Sequence, residues 1–149
     1  MNPGDSPILP PSLLAIRRVT FGVLGLGAVY TLGSLIWHAQ WNTGLTEWLI
    51  VAGFALWAVG PYVVLGVIGG LSRSIAGSLV VLIGSTLTVV GGIAVYHHVF
   101  HIAPPDAQGA LVYLSVPFVQ WGGSGLLAGV WAILQSRSRR QDMANESRP

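Results

Sequence analysis

The residue types that could do chemistry are concentrated in one stretch, YHHVFHIAPPD, at residues 96–106. It holds three of the chain's four histidines and one aspartate: His97, His98, His101 and Asp106. The fourth histidine, His38, ends an apolar run much earlier in the chain. Imidazole nitrogens and a carboxylate oxygen suit zinc, copper or nickel, and two imidazoles suit a b-type haem. The stretch is therefore either a binding site or a polar boundary between apolar segments.

Both hypotheses name specific ligands. A divalent metal site would be built from two elements of the chain, with the ligands His38, His97, His101 and Asp106. A haem or quinone site would use the histidines alone, namely His38, His97, His98 and His101. The boundary interpretation is favoured, because aromatic and histidine side chains settle at the headgroup level of a membrane. The leading prediction is therefore that the protein has no cofactor, with metal or haem as the alternative.

Composition indicates the solvent in which this chain folds. Hydrophobic residues make up 52% and charged residues only 8%, whereas soluble domains carry roughly 25% charged residues. The apolar residues must therefore face a bilayer. Cysteine is absent, which excludes disulfides and thiolate metal sites. The basic residues lie at the ends of apolar runs and form no stripe, so we expect no nucleic-acid partner.

Four uncharged stretches are long enough for the roughly 20 residues that a helix needs to cross a bilayer. They cover residues 19–37, 48–71, 75–96 and 110–134. Because the connections are short, we expect consecutive helices to be antiparallel neighbours. The sequence predicts an all-α, integral-membrane, up-down four-helix bundle forming one domain over residues 1–149, with flexible tails at 1–12 and 137–149.

The arginines predict the orientation of the spans. They precede the first span, lie between the second and third, and follow the fourth, at Arg17, Arg18, Arg73, Arg137, Arg139, Arg140 and Arg148. The two other loops contain no basic residue, so the positive-inside rule places both termini in the cytoplasm. Exclusive use of arginine over lysine is typical of GC-rich bacterial genomes, which indicates a bacterial inner membrane.

Small residues predict how the helices pack. The third span carries glycines at seven-residue intervals, Gly77, Gly84 and Gly91, with Ser78, Ser85 and Gly92 beside them. Helices in lipid associate through such small residues. Two GxxxG pairs occur at Gly66/Gly70 and Gly125/Gly129. The sequence leaves open whether these surfaces face helices of the same chain or of another copy.

Three polar or helix-breaking positions lie inside the spans. Pro61 and Pro117 each free the carbonyl four residues earlier, that of Trp57 and that of Tyr113. We expect bending that neighbouring helices repair, with a hinge as the alternative. Gln120 is the deepest amide; we expect it to hydrogen-bond between helices, and the alternative is a ligand-binding group behind the kink. Because the span cores contain no ionisable residue, a proton pump is not expected.

The stretch PPDAQGALVYLSVPFVQW, residues 104–121, resembles small four-span bacterial inner-membrane proteins of unassigned activity. The resemblance implies an inner-membrane bundle and directs attention to Asp106, Gln108, Pro117 and Gln120. No GxxxxGK[ST], GxSxG or HExxH motif occurs, so we expect no enzyme. The leading hypothesis is a structural or accessory subunit that acts through helix packing, as a homo-oligomer or with a membrane-complex partner. The alternatives are the metal, haem or quinone site and, third, an oligomeric transporter of small solutes.

Overall fold

A computed structural model describes residues 10–38, 44–102 and 109–146, without the side chains of His38, Glu47, Tyr113, Arg139 and residues 109–110 and 141–146. It contains four α-helices: α1 (Pro11–His38), α2 (Leu45–Leu71), α3 (Ile75–His97) and α4 (Gly109–Glu146). A π-helical turn, His98–Ile102, continues α3. Within these ranges there is no strand, so the prediction of an all-α four-helix bundle is confirmed. All four helices are long and apolar enough to cross a membrane.

The outer ends of α1 and α4 extend beyond the predicted spans. Pro11 opens α1, where a proline at the first helical position loses no hydrogen bond. At the other end α4 continues to Glu146, so the segment after residue 137 is helical where a flexible tail was predicted. Residues 135–146 contain neither glycine nor proline and are rich in good helix formers. Nothing in that segment therefore ends the helix.

The turn between α2 and α3 is short and is closed by serines. Ser72 and Ser74 both have extended backbone dihedrals, which end α2 and precede α3. Ser74 caps α3, because its Oγ accepts a hydrogen bond from the backbone N–H of Gly77 at 3.1 Å. A serine side chain satisfies one of the N–H groups that the first helical turn leaves without a partner. The chain thus reverses its direction within residues 72–74.

The helices do not all pack in chain order. α1 lies along α2 and α3, and α4 also lies along α2 and α3; α2 and α3 contact each other less, and α1 and α4 have no contact within the described ranges. The helices therefore occupy the corners of a square in the order α1, α2, α4, α3. This differs from the predicted neighbour relation for α2 and α3, which lie on a diagonal. Gly27 permits the α1–α3 contact, since a Cβ there would lie 2.6 Å from Cγ2 of Val89.

The buried face of α3 contains most of the predicted small residues. Gly77, Ser78, Gly84, Ser85 and Gly92 are buried, and a Cβ at Gly84 would overlap Leu127 of α4. Gly91 is exposed, with nothing described within 4 Å of its Cβ position. A straight α-helix drifts about 20° per heptad, so the third glycine of the series moves to the edge of this face. Gly92 takes its place.

Candidate functional site

A hydrogen-bonded group in the middle of the bundle connects all four helices. We call Thr31, Tyr62, Thr88 and Gln120 the polar node. Nε2 of Gln120 donates to the Tyr62 hydroxyl at 3.0 Å and to the backbone carbonyl of Thr88 at 3.2 Å. The Tyr62 hydroxyl lies 3.3 Å from Oγ1 of Thr31. Since α1, α2, α3 and α4 each contribute one residue, the node ties the whole bundle together.

The interior position of the node depends on one glycine of α3. Tyr62 and Thr31 are buried, and Gln120 is only 6% exposed. A Cβ at Gly92 would lie 2.5 Å from Nε2 of Gln120 and 3.3 Å from the Tyr62 hydroxyl. Any larger residue at this position would therefore push the amide away from its partners.

Gln120 makes the interhelical contacts expected of it, and it also retains unused hydrogen-bonding capacity. Its Oε1 is buried, and none of the described residues donates a hydrogen bond to it. Burial of an amide oxygen without a donor costs on the order of 1–3 kcal/mol. A free acceptor at this depth is thus the one energetically incomplete part of the node.

A cleft of about 510 Å³ lies beside the node, between α3 and α4. Gly91, Gly92 and Gly123 form part of its wall, together with Gln120 at the node and Ser115 farther toward the start of α4. Several of its other lining residues are exposed and apolar: Leu87, Val95 and Val119. The cleft therefore opens sideways, onto the surface that would face the hydrocarbon of a bilayer.

The carbonyl freed by Pro61 has a partner on α4. Nε1 of Trp121 donates to the Trp57 carbonyl at 3.2 Å, and the two indole rings lie 5.7 Å apart between centroids. Gly60 makes room for this contact, because a Cβ there would overlap the Trp121 ring. The repair by a neighbouring helix predicted for Pro61 is therefore present. The carbonyl that Pro117 frees is that of Tyr113, a residue that the structure describes without its side chain.

The histidines occupy the end of the bundle away from the α2–α3 turn. His97, His98 and His101 are exposed. The rings of His97 and His101 lie 4.9 Å apart between centroids, tilted by 40°. The described side chains include no group of three or more His, Asp or Glu residues placed to hold a metal. Two of the predicted ligands, the side chain of His38 and the whole of Asp106, lie outside the described residues, as does Gln108.

At the opposite end, Arg17 connects α1 to the α2–α3 turn. Its Nη2 donates to the backbone carbonyl of Ser72, the residue that caps the C-terminus of α2. A guanidinium suits this position, because the last carbonyls of a helix lack partners and carry partial negative charge. Arg17 thus joins the start of α1 to the end of α2, in addition to lying at the end of a predicted span.

Sequence reasoning missed Thr31, Tyr62 and Trp121 as partners. The available signal was that a polar group inside an apolar span must find a hydrogen-bond partner on another helix. That rule selects candidates on each helix but does not pair them. The pairing depends on which helices are neighbours, and the diagonal position of α2 and α3 was not predicted.

No known protein family, curated protein or solved structure matches the chain. Its four long apolar helices indicate a multi-pass membrane protein. Within that frame, the node, the cleft and the exposed faces of the helices are the features from which a function can be inferred.

Proposed function

We propose that this chain is a non-enzymatic, multi-pass protein of a bacterial inner membrane that acts through helix packing, as a subunit that binds a second copy of itself. Both termini lie in the cytoplasm. The observation that carries the proposal is the GxxxG pair on α4, Gly125 and Gly129, against which no described residue packs. The corresponding pair on α2, Gly66 and Gly70, is covered by side chains of α1.

The distribution of arginines supports the orientation. Arg17 contacts Ser72, so the basic start of α1 lies beside the α2–α3 turn that carries Arg73. The end of α3 at the other side of the bundle carries histidines and aromatic residues but no lysine or arginine. Arginine-rich ends remain on the cytoplasmic side during membrane insertion.

The two GxxxG pairs have different surroundings. On α2, a Cβ at Gly66 would lie 3.5 Å from Phe21 and 3.7 Å from Leu24, and one at Gly70 would lie 3.7 Å from Phe21. Helix α1 of the same chain therefore fills that groove. On α4, no described atom lies within 4 Å of a Cβ at Gly125 or Gly129. This second groove is free to receive another helix.

A second copy of the chain is the partner that fits this groove best. GxxxG surfaces allow two helix backbones to approach closely, and an interface with two-fold symmetry brings the same surface together from both copies. Gly122 extends the open surface by one turn, and Leu126 and Val130 beside it are exposed. Two α4 helices can thus pack groove to groove.

Cysteine crosslinking in membranes tests the proposal, since the chain has no native cysteine. We expect Gly125→Cys and Gly129→Cys to form disulfide-linked dimers on mild oxidation. Gly25→Cys is the matched control, because Gly25 on α1 also has nothing described within 4 Å of its Cβ position. Equal crosslinking at Gly25 and Gly125, or none at either α4 position, would remove the case for this interface.

The histidine end supports a second candidate function, the binding of a transition metal by His97 and His101. The rings of these two histidines lie 4.9 Å apart between centroids. Imidazole nitrogens are suitable ligands for zinc, copper or nickel. Elemental analysis and absorption spectra before and after dithionite, on protein purified in mild detergent, test it. A stoichiometric metal lost in His101→Ala and kept in His98→Ala is expected. Protein that is metal-free and takes up no added Zn²⁺ or Ni²⁺ would reject it.

A further inference from the structure

We infer that one exposed side of α4 is a binding site for a phospholipid with an anionic headgroup. The acyl chain packs along Leu126, Val130 and Ile133, and the phosphate is held by Arg137 and Arg140. We call this surface the α4 lipid stripe. It goes beyond self-association, because the two arginines that select the lipid come after the glycines of α4 along the helix.

The residues of the stripe share one side of α4. They recur every three or four residues, and side chains at that spacing lie above one another on a helix. Leu126, Val130 and Ile133 are 76%, 47% and 55% exposed, and both arginines are exposed. Helix α4 continues through all of these positions. Apolar and basic side chains therefore form one continuous surface that the described residues leave open.

The length of α4 places the arginines at the headgroup level. The candidate span Leu114–Ser138 is about 37 Å long at 1.5 Å per residue, longer than a hydrocarbon core of about 30 Å. Its end, which includes Arg137, therefore lies among the headgroups, and Arg140 follows about one turn later. Packing agrees with this level, because Cδ1 of Trp131 lies 3.5 Å from the Cβ position of Gly77 in the first turn of α3.

The two arginines of the stripe have no opposite charge at helical spacing. Asp142 and Glu146 follow them on α4, and neither lies three or four residues from Arg137 or Arg140. Arg17, by contrast, donates within the fold, to a carbonyl of the α2–α3 turn. The guanidinium groups of the stripe are thus open to a partner outside the chain. Phosphate suits them, because a guanidinium presents its N–H groups in pairs that match phosphate oxygens.

The apolar half of the stripe decides the class of partner. A free phosphate or an acidic peptide would use the arginines and leave the exposed Leu126, Val130 and Ile133 without a contact. A phospholipid carries its phosphate directly beyond its acyl chains, as the stripe carries its arginines directly beyond its apolar residues. The choline of phosphatidylcholine is a cation that the arginines repel, so an anionic headgroup is preferred.

Fluorescence quenching at a single cysteine tests the inference, since the chain has no native cysteine. Ile133→Cys carries the fluorophore in the full chain, reconstituted in phosphatidylcholine vesicles, and phospholipids with brominated acyl chains quench it. We expect brominated phosphatidylglycerol to associate at least about five-fold more strongly than brominated phosphatidylcholine, the factor that one arginine near an anionic lipid surface supplies. Val119→Cys, exposed on the same helix and remote from the arginines, is the matched control and should show no preference.

Two double variants assign the preference to the arginines. Arg137→Gln combined with Arg140→Gln should abolish the preference at residue 133 and leave quenching by phosphatidylcholine unchanged, which also shows that the bundle is intact. The corresponding pair of lysine substitutions should keep most of the preference, because the charge remains. Sodium chloride at 1 M should weaken it, since the Debye length then falls to about 3 Å.

Three results would overturn the inference. They are equal quenching by the two lipids with both arginines present, a preference that survives the double glutamine variant, and an equal preference at Val119→Cys. Gly125→Leu separates the stripe from self-association: it should abolish dimers and leave the lipid preference intact. A preference that disappears together with the dimers would assign the arginines to an interface between copies and would also overturn it.

Discussion

The middle of the bundle and its histidine end differ in how the chemical reactivity of their side chains relates to the contacts that those side chains make. The histidine end is rich in chemically versatile side chains, yet its three described histidines are exposed, and the rings of His97 and His101 lie close together. The middle contains one amide, one phenol and two threonines, and these connect four helices. In an apolar chain, burial and the need for hydrogen-bond partners give a residue more structural importance than its intrinsic reactivity.

The largest effect is expected at Gly92, which lies against the node, and its neighbour Gly91, which has open space around it, is the matched control. Gly92→Leu should destabilise the bundle by about 3 kcal/mol, because overpacking at the node displaces Gln120 and breaks its hydrogen bonds. Gly91→Leu should change stability by no more than about 0.5 kcal/mol, since its side chain enters open space. Unfolding in mixed micelles with increasing SDS measures both. Similar losses for the two variants would contradict the described packing around Gly92.

A smaller effect is expected where α2 and α4 meet at the Trp57 carbonyl. Trp121→Phe removes the indole donor and should cost about 1 kcal/mol, the scale of an interhelical hydrogen bond in membranes. In a Pro61→Ala background the backbone N–H of residue 61 can satisfy the same carbonyl, so the hydrogen-bond part of the loss should disappear. A double-mutant cycle measures this coupling. Additive losses would show that Trp121 contributes only packing.

The smallest effect is expected at the histidine end. His97→Ala and His101→Ala should each change stability by less than about 0.5 kcal/mol, because both side chains are exposed and substitutions at the surface usually have small effects. The same unfolding measurement detects this. A loss above 1 kcal/mol, present only when metal has been added, would instead show that the two histidines hold an ion, and would reverse the comparison with the node.

Several features of the site could be predicted from sequence because they are local. Gln120 stands out as an amide in an apolar span, and Pro61 necessarily frees the carbonyl of Trp57. The glycine series on α3 correctly indicated a close helix contact at Gly84, where Leu127 lies. By contrast, which of Gly91 and Gly92 is buried depends on an accumulated rotation of the helix of about 20° per heptad. A strict seven-residue pattern does not include that rotation.

Partners on other helices could not be predicted in the same way. Tyr62 meets both Gln120 and Thr31 because α2 lies beside both α1 and α4. The same arrangement covers Gly66 with Phe21 and leaves Gly125 open. Identical GxxxG spacings thus have different surroundings, and nothing in the spacing itself distinguishes them.

The amino-acid sequence by itself determined the four helices, their apolar character and the deep position of Gln120, because these follow from hydropathy, from length and from the backbone's need for internal hydrogen bonds in an apolar solvent. Tertiary structure alone decided that α2 and α3 lie on a diagonal, that four helices share one polar node, and that a cleft remains beside it. Helix neighbours in such a bundle are chosen by the fit of small against large side chains, such as Gly27 against Val89 and Gly60 against Trp121. That fit is a property of pairs of surfaces, and it exists only once the helices have met.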